Sequence, residues 1–350
     1  PAYFCKTSGT TSGVKYIPIF KNAIKTHTNS ARDSILNYIL NTGDTNFIKG
    51  KQIFIQGSTI LKNQNGIKIG RLSGIVAHHV PFYLRHSRMP SWDVNCIEDW
   101  EEKINAIVDQ TINQNMTLIS GIPPWVQMYF EKIIEKSGKQ IGDVFKNFSL
   151  FIYGGVSFKP YKKIFDELIG RKVNSIEVYP ASEGFFAFQD QIDNDSMLLI
   201  LNNHIYYEFI KVKDLLIGEK NYICLSDVKV GENYALVIST SSGLWRYDIG
   251  DTVQFTQLEP YRIIVTGRIK HFISAFGEHV IAKEVETTIK EVSSKLNLKI
   301  REFTVAPQVT PKAGLPFHEW FIEFEELNDN LDEIEGIMDK IMQRQNIYYK

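Results

Sequence analysis

The chain has 350 residues, room for one large domain or about two ordinary ones. With 43% hydrophobic and 23% charged residues it can bury an ordinary core, which excludes a disordered or fibrous class. The 39 basic and 40 acidic side chains nearly cancel and no long run of one sign occurs, which excludes a nucleic-acid partner gripped mainly through phosphates.

The predicted elements start from a loop. Residues 5–18 read Cys-Lys-Thr-Ser-Gly-Thr-Thr-Ser-Gly-Val-Lys-Tyr-Ile-Pro, so Thr7 to Gly13 are hydroxyls and glycines with no bulky side chain. Glycine lets a backbone approach a polyanion closely, and amide N–H and hydroxyl groups donate to phosphate oxygens. Lys15 adds a point charge at the rim. The loop is not a Walker A motif, because Val14 separates Gly13 from Lys15 and Tyr16 stands where a magnesium-binding hydroxyl would be. Read without a ligand, the same run is a solvated Ser/Gly turn.

From Phe20 to Leu40 the residues Ala23, Ile24, His27, Ala31, Ile35, Tyr38 and Ile39 recur at helical spacing, and Gly43 is the stop. A β-rich run follows at 52–56. Glu98 to Asn113 is an amphipathic helix, Thr117 to Ser120 a strand, and Pro124 opens another helix. Strand Ser149–Tyr153, helix Lys159–Ile169 and strand Ser175–Tyr179 form a βαβ unit, which predicts a parallel sheet. Short β runs then fill 185–256. A strand from Tyr261 to Thr266 precedes helix Ala282–Leu296, strands Phe303–Ala306 and Glu319–Phe324, and helix Asn330–Arg344. The fold class is α/β, a large domain over 1–267 with a parallel sheet and a β-rich subdomain, then a small α+β domain over 268–350. The first residue is Pro and the last follow a helical pattern, so segments are expected to be missing at both ends and the small domain to be truncated.

Cys5, Cys96 and Cys224 are odd in number and lack metal spacing, as in a reduced, cytoplasmic compartment. No apolar stretch spans a bilayer and no signal peptide is seen, so no membrane partner is expected. Two loops at strand ends join the first, Tyr179-Pro180-Ala181-Ser182-Glu183-Gly184 and Trp245-Arg246-Tyr247-Asp248-Ile249-Gly250-Asp251. Ligands of open α/β sheets bind beyond the carboxyl ends of strands. Glu183 could hold magnesium together with phosphate oxygens, Asp251 could accept from a ribose diol, and Tyr179 could stack on a purine. Alternatively the acids belong to plain turns and the ring to the core.

Taken together, Thr-Ser-Gly-Thr-Thr-Ser-Gly-x-Lys, the Tyr-x-x-Ser-Glu and Tyr-x-x-Gly-Asp loops and Thr-Gly-Arg-Ile-Lys at 266–270 resemble the acyl-adenylate-forming superfamily of firefly luciferase and the acyl-CoA ligases. Phe151-Ile152-Tyr153-Gly154-Gly155, Ala181 to Phe186 and Gly243-Leu244-Trp245-Arg246-Tyr247 resemble more narrowly the auxin-responsive acyl-acid amido synthetases of plants and their bacterial relatives. The resemblance implies a two-step ligase using ATP and Mg2+. A small carboxylic acid is adenylated, and an amine or amino acid then displaces AMP to form an amide. By position it implies that Thr7, Ser8, Gly9, Thr10, Thr11, Ser12, Gly13 and Lys15 line the phosphates and that Gly155 and Val156 border the adenine. Tyr179 and Ser182 would flank the adenylate, Glu183 reach the metal, Asp251 and Arg268 touch ribose, and Lys270 be the hinge of a swinging lid.

No protein nucleophile is needed for that chemistry, and no Gly-x-Ser-x-Gly elbow is present. Two positions depart from the pattern. Asp248 stands where plant members have Arg, and no Gly-Lys lid segment follows residue 300. The stretches Leu72 to Tyr83 and Gly121 to Trp125 fall where the family builds its acid pocket, while read alone they are core segments with a structural His78 or His79. Arg85 and Arg88 could pair with a carboxylate. An acyl-CoA ligase and a non-catalytic adenylate-binding module are the alternative functions.

Overall fold

The computed structural model describes residues 1–7, 15–269, 280, 282–308, 317–326 and 330–345. The chain divides into two compact units. One comprises Pro1–Glu208, Val237–Tyr247 and Phe255–Ile264, the other Phe209–Leu236, Asp248–Gln254 and Val265–Lys350.

In the first unit, β1 (Tyr3–Thr7) and β2 (Lys15–Ile19) form an antiparallel pair with Thr7 opposite Lys15. The helix Lys21–Thr42 follows and ends at Gly43, whose φ of +69° closes it in the left-handed region. Next come β3 (Lys51–Ile55), β4 (Lys62–Gln64) and β5 (Ile67–Gly70). β5 pairs parallel with β1 and antiparallel with β4, which completes a four-stranded sheet ordered β2-β1-β5-β4.

The main sheet takes β6 (Arg88–Met89), β7 (Met116–Gly121), β8 (Leu150–Tyr153), β9 (Asn174–Ala181), β10 (Gly184–Phe188) and β11 (Met197–Leu199). β6, β3, β7, β8 and β9 are parallel neighbours, and β10 and β11 continue antiparallel. Helices explain the parallel order, since each crossover needs one. Asp99 caps the helix Trp100–Thr111 by accepting from the Glu102 N–H at 2.8 Å, and Glu101 and Glu102 complement its dipole. The helix Pro123–Ser137 opens on proline and stops at Gly138, and the helix Lys162–Ile169 stops at Gly170. Neighbouring residues of one strand feed opposite faces. Ile119 and Phe151 pack with Ile104, Phe130 and Phe165, while Leu118 and Leu150 pack with Tyr38 and Phe47. A sheet covered on both faces in this way reads as the near-continuous apolar run seen in β7.

The β-rich region contains β12 (Ile205–Lys211), β13 (Tyr222–Cys224), β14 (Asn233–Thr240), β15 (Tyr247–Leu258) and β16 (Tyr261–Arg268), hydrogen-bonded in the order β13-β12-β14-β15-β16. In the second unit β17 (Ile300–Gln308) and β18 (Phe317–Phe324) pair antiparallel. The helices Ala282–Leu296 and Leu331–Gln345 share a core with them through Ile289, Val292, Ile334, Met338 and Ile341. The mixed α/β class and the parallel sheet are as expected from the sequence. Among the described residues, no helix is long and apolar enough to cross a membrane.

Two expectations are corrected. The hydroxyl loop is flanked by two strands that its turn-like composition hid. The stretch Trp245–Asp251 is not simply a loop, because from Tyr247 onward it is the start of the 12-residue β15. Ile249, Val253 and Phe255 are buried at period two, which is the strand signal. Gly250, at φ +84°, makes the segment look like a turn in sequence.

Candidate functional site

In the first unit, the β1–β2 hairpin carries the two described flanks of the hydroxyl loop, Thr7 and Lys15, directly opposite each other. Ser8, Gly9, Thr10, Thr11, Ser12 and Gly13 lie outside the described residues. What the structure adds is where their anchor sits. Cys5, fully buried in the middle of β1, donates its Sγ–H to Ser182 Oγ at 3.0 Å. Burial pushes the Cys5 thiol up to about 11, with the nearby Glu183 charge pushing the same way, so at neutral pH the thiol keeps the proton it donates. The hairpin is thereby fixed to the tight turn between β9 and β10 that bears Ser182 and Glu183.

Lys15 is the second tie. Its Nζ donates to Tyr247 Oη at 3.4 Å and lies 5.5 Å from the centre of that ring, a cation–π arrangement. Glu183 is half-buried at its turn. Tyr179 is buried and packs edge-on against Phe186 at 5.0 Å between centroids. Gly154 ends β8 so close to β9 that a Cβ there would lie 2.2 Å from the Val178 carbonyl oxygen. Gly155 follows at φ +85°, and Val156 beyond it is 42% exposed. The first unit thus brings together Thr7, Lys15, Ser182 and Glu183, with Gly155, Val156 and Tyr179 on the ends of the adjacent strands β8 and β9.

Residues 72–77 form a short helix with Gly74 and Ile75 buried, His78 bonds the Thr59 carbonyl at 3.1 Å, and Phe82 and Tyr83 are exposed. Gly121 closes β7 against β3, leading into the Pro123 helix. Arg85 is exposed, and Arg88, in β6, is half-buried with its proton affinity lowered by burial.

In the second unit, Arg268 Nε pairs with Asp251 Oδ1 at 2.8 Å while its Nη2 donates to the Ile249 carbonyl at 3.0 Å. Asp248 Oδ1 accepts from the Gly250 N–H at 2.8 Å, an Asx-type bond that holds the bend. Lys270 lies outside the described residues.

Sequence reasoning passed over Cys5, Tyr247 and Glu208. Arg246, at φ +42°, lays its guanidinium across both oxygens of the buried Glu208, with Nε at 3.0 Å from each. The pair borders a cavity of about 530 Å³ with Tyr206, Ser239 and Trp245. An acid inside the apolar run Ile205-Tyr-Tyr-Glu-Phe-Ile was the available signal, since buried carboxylates need a partner.

Among the described residues no group of three or more His, Cys, Asp or Glu could hold a metal by itself. Magnesium asks less of a protein, because phosphate oxygens and water complete its octahedron, and one half-buried carboxylate beside a hydroxyl-rich hairpin fits that demand.

A mixed sheet wound with helices on both faces, with polar turns at its carboxyl ends, is also the fold of a solved acyl acid amido synthetase, AtGH3.15 in complex with 2,4-DB. The two share a TM-score of 0.77 at 13% identity, over 99% of this chain and 71% of that one. The GH3 family N-terminal domain model matches residues 1–173 and the GH3 family central domain model matches residues 198–268. The chain belongs to the GH3 family. A protein described as "Probable indole-3-acetic acid-amido synthetase GH3.11", of Oryza sativa subsp. japonica, is 30% identical over 173 residues, 45% of this chain and 28% of that protein. The jasmonoyl–L-amino acid synthetase JAR4 of Nicotiana attenuata is 28% identical over 212 residues, 57% of this chain and 36% of that protein. The chain therefore matches only about a third of the length of these curated relatives.

Proposed function

We propose that this chain carries the adenylating machinery of an acyl-acid amido synthetase. The observation that carries the reading is the pair of ties at the flanks of the hydroxyl loop, Cys5 holding β1 to the Ser182-Glu183 turn and Lys15 holding β2 to Tyr247 at the start of β15. A hydroxyl-rich run, a lysine and a carboxylate are the groups that suit a triphosphate. The amido-synthetase relatives add the chemistry by kinship.

In the first step a carboxylate oxygen of the acid attacks the α-phosphorus of ATP, the bond to the β-phosphate oxygen breaks, and pyrophosphate leaves. Negative charge grows on oxygens already charged. Thr7, Ser8, Gly9, Thr10, Thr11, Ser12 and Gly13 are assigned as donors and Lys15 as a positive charge, because donors set in place before reaction lower its reorganisation cost. Glu183 is the residue that would hold magnesium, which when bound neutralises phosphate charge. In the second step an amine nitrogen, that of an amino acid, attacks the acyl carbon, the bond to the AMP oxygen breaks, and an amide forms. Gly155, Val156, Tyr179 and Ser182 are assigned to the nucleoside and adenylate, Asp251 and Arg268 to the ribose. Residues 268–350 are assigned to a lid hinged at Lys270, whose closure would keep water from the mixed anhydride. The cytoplasm, where ATP and free acids meet, is the fitting compartment.

Mass spectrometry of products tests the reading. With ATP, an acid panel and amino acids as acceptors, the full-length protein should release an N-acyl amino acid and AMP. Formation of an acyl thioester with coenzyme A, and no amide, would replace it by the acyl-CoA ligase.

A further inference from the structure

Away from that machinery, the first unit holds a second cavity, of about 630 Å³. Lys21, Lys25, Lys68, His79 and Tyr3 line it, and no acidic residue does. This concentration of one sign is unusual in a chain whose charges otherwise cancel to −1. Lys21 and Lys25 stand one turn apart on a single helix face, a like-charge spacing that destabilises isolated helices. Lys68 approaches from β5, another element altogether. Among the described residues, none partners the ammonium group of Lys21, Lys25 or Lys68 by hydrogen bond or ion pair. Lys21 is also the first residue of its helix, whose first turn has no acid and whose Phe20 offers no side-chain cap. The positive end of that helix dipole is therefore left uncompensated and adds to the same field.

His79 is fixed rather than loose. Its Nε2 is 3.0 Å from Tyr3 Oη, and the two rings meet edge to face at 5.6 Å. Partial burial, with His78 and Lys68 beside it, holds the His79 imidazole below its usual range.

We propose that this cavity binds a small anion bearing a chain of two or three phosphates, at a site separate from the hydroxyl loop. Three ammonium groups from two elements, with no guanidinium fork among them, match several point charges better than one planar carboxylate. Separation follows from β1 itself. Tyr3 and Thr7 sit at its opposite ends, about 13 Å apart at roughly 3.3 Å per residue.

Tripolyphosphate without divalent metal is the probe, followed by calorimetry and by the ring resonances of His79 in NMR spectra. Binding should shift those resonances and raise the pH at which the ring titrates, because the anion offsets Lys68 and His78. The double variant Lys25→Gln/Lys68→Gln should lose the His79 response or need at least tenfold more tripolyphosphate to give it. Lys15→Ala, at the hydroxyl loop, should keep the His79 response even where it weakens phosphate binding at that loop, so failure of the adenylation reading leaves this test standing. The proposal is overturned if wild-type protein shows no His79 response at millimolar tripolyphosphate, if the double variant gives that response at the same concentration as wild type, or if Lys15→Ala abolishes it.

Discussion

Residues in this molecule earn their roles by what holds them. Glu183 sits in a two-residue turn whose neighbour Ser182 is pinned by a buried thiol. Removing its carboxylate should therefore leave the fold intact and strike the chemistry. Glu183→Ala is expected to abolish acid-dependent pyrophosphate exchange while nucleotide affinity, measured by calorimetry, falls much less. Asp251 differs, because its charge is already matched by Arg268 at 2.8 Å. Asp251→Ala removes a charged hydrogen-bonding group and frees Arg268, and ATP binding should weaken by about 1–3 kcal/mol, a few-fold to a hundredfold. Unchanged affinity would remove Asp251 from the nucleotide site. The residues named in these predictions were legible in sequence because hydroxyls, glycines and isolated acids are poor core formers and stand out. Cys5 was not legible. A cysteine in a short apolar strand looks like filler, and only its position opposite Ser182 gives it meaning.

Elements followed their periodicity where the pattern was long. The helices at 21–42, 123–137 and 282–296 and the strands β7, β8 and β9 lie within a few residues of where spacing and caps put them. Segments interrupted by glycine escaped. β1 and β2 have only five residues each and flank a glycine-rich run, and β15 hides a left-handed glycine inside a buried alternation. Tertiary pairing, which no local window contains, decides such segments. Close pairing also sets a prediction. The Cβ of Gly154→Ala would meet the Val178 carbonyl at 2.2 Å, so β8 and β9 must separate, which should destabilise by about 1–3 kcal/mol in denaturant unfolding. Gly336→Ala, in the helix Leu331–Gln345 with nothing within 4 Å, should instead stabilise by roughly 0.5–1 kcal/mol. Helix packing adds a pH signature. His27 lies against Phe185 at 5.2 Å, and burial pushes it down to about 4 from an ordinary 6.5. Between those values the unfolded chain binds a proton that the folded chain refuses, so stability rises with pH across the window and is lost as pH falls through it. His27→Leu should flatten that part of the stability profile, and an unaltered slope would show that His27 protonates freely in the native state.

At the scale of the whole molecule, the chain belongs to the GH3 family, and the first unit supplies a hairpin, a carboxylate turn and glycine-ended strands at one end of a parallel sheet. The claim is that these parts activate a carboxylic acid with ATP. The most direct measurement is exchange of labelled pyrophosphate into ATP by the full-length protein across a panel of carboxylic acids. The account predicts label entering ATP only when a suitable acid is present, and none with Glu183→Ala. Tight ATP binding with no exchange for any acid, or equal exchange in the Glu183→Ala protein, would contradict it.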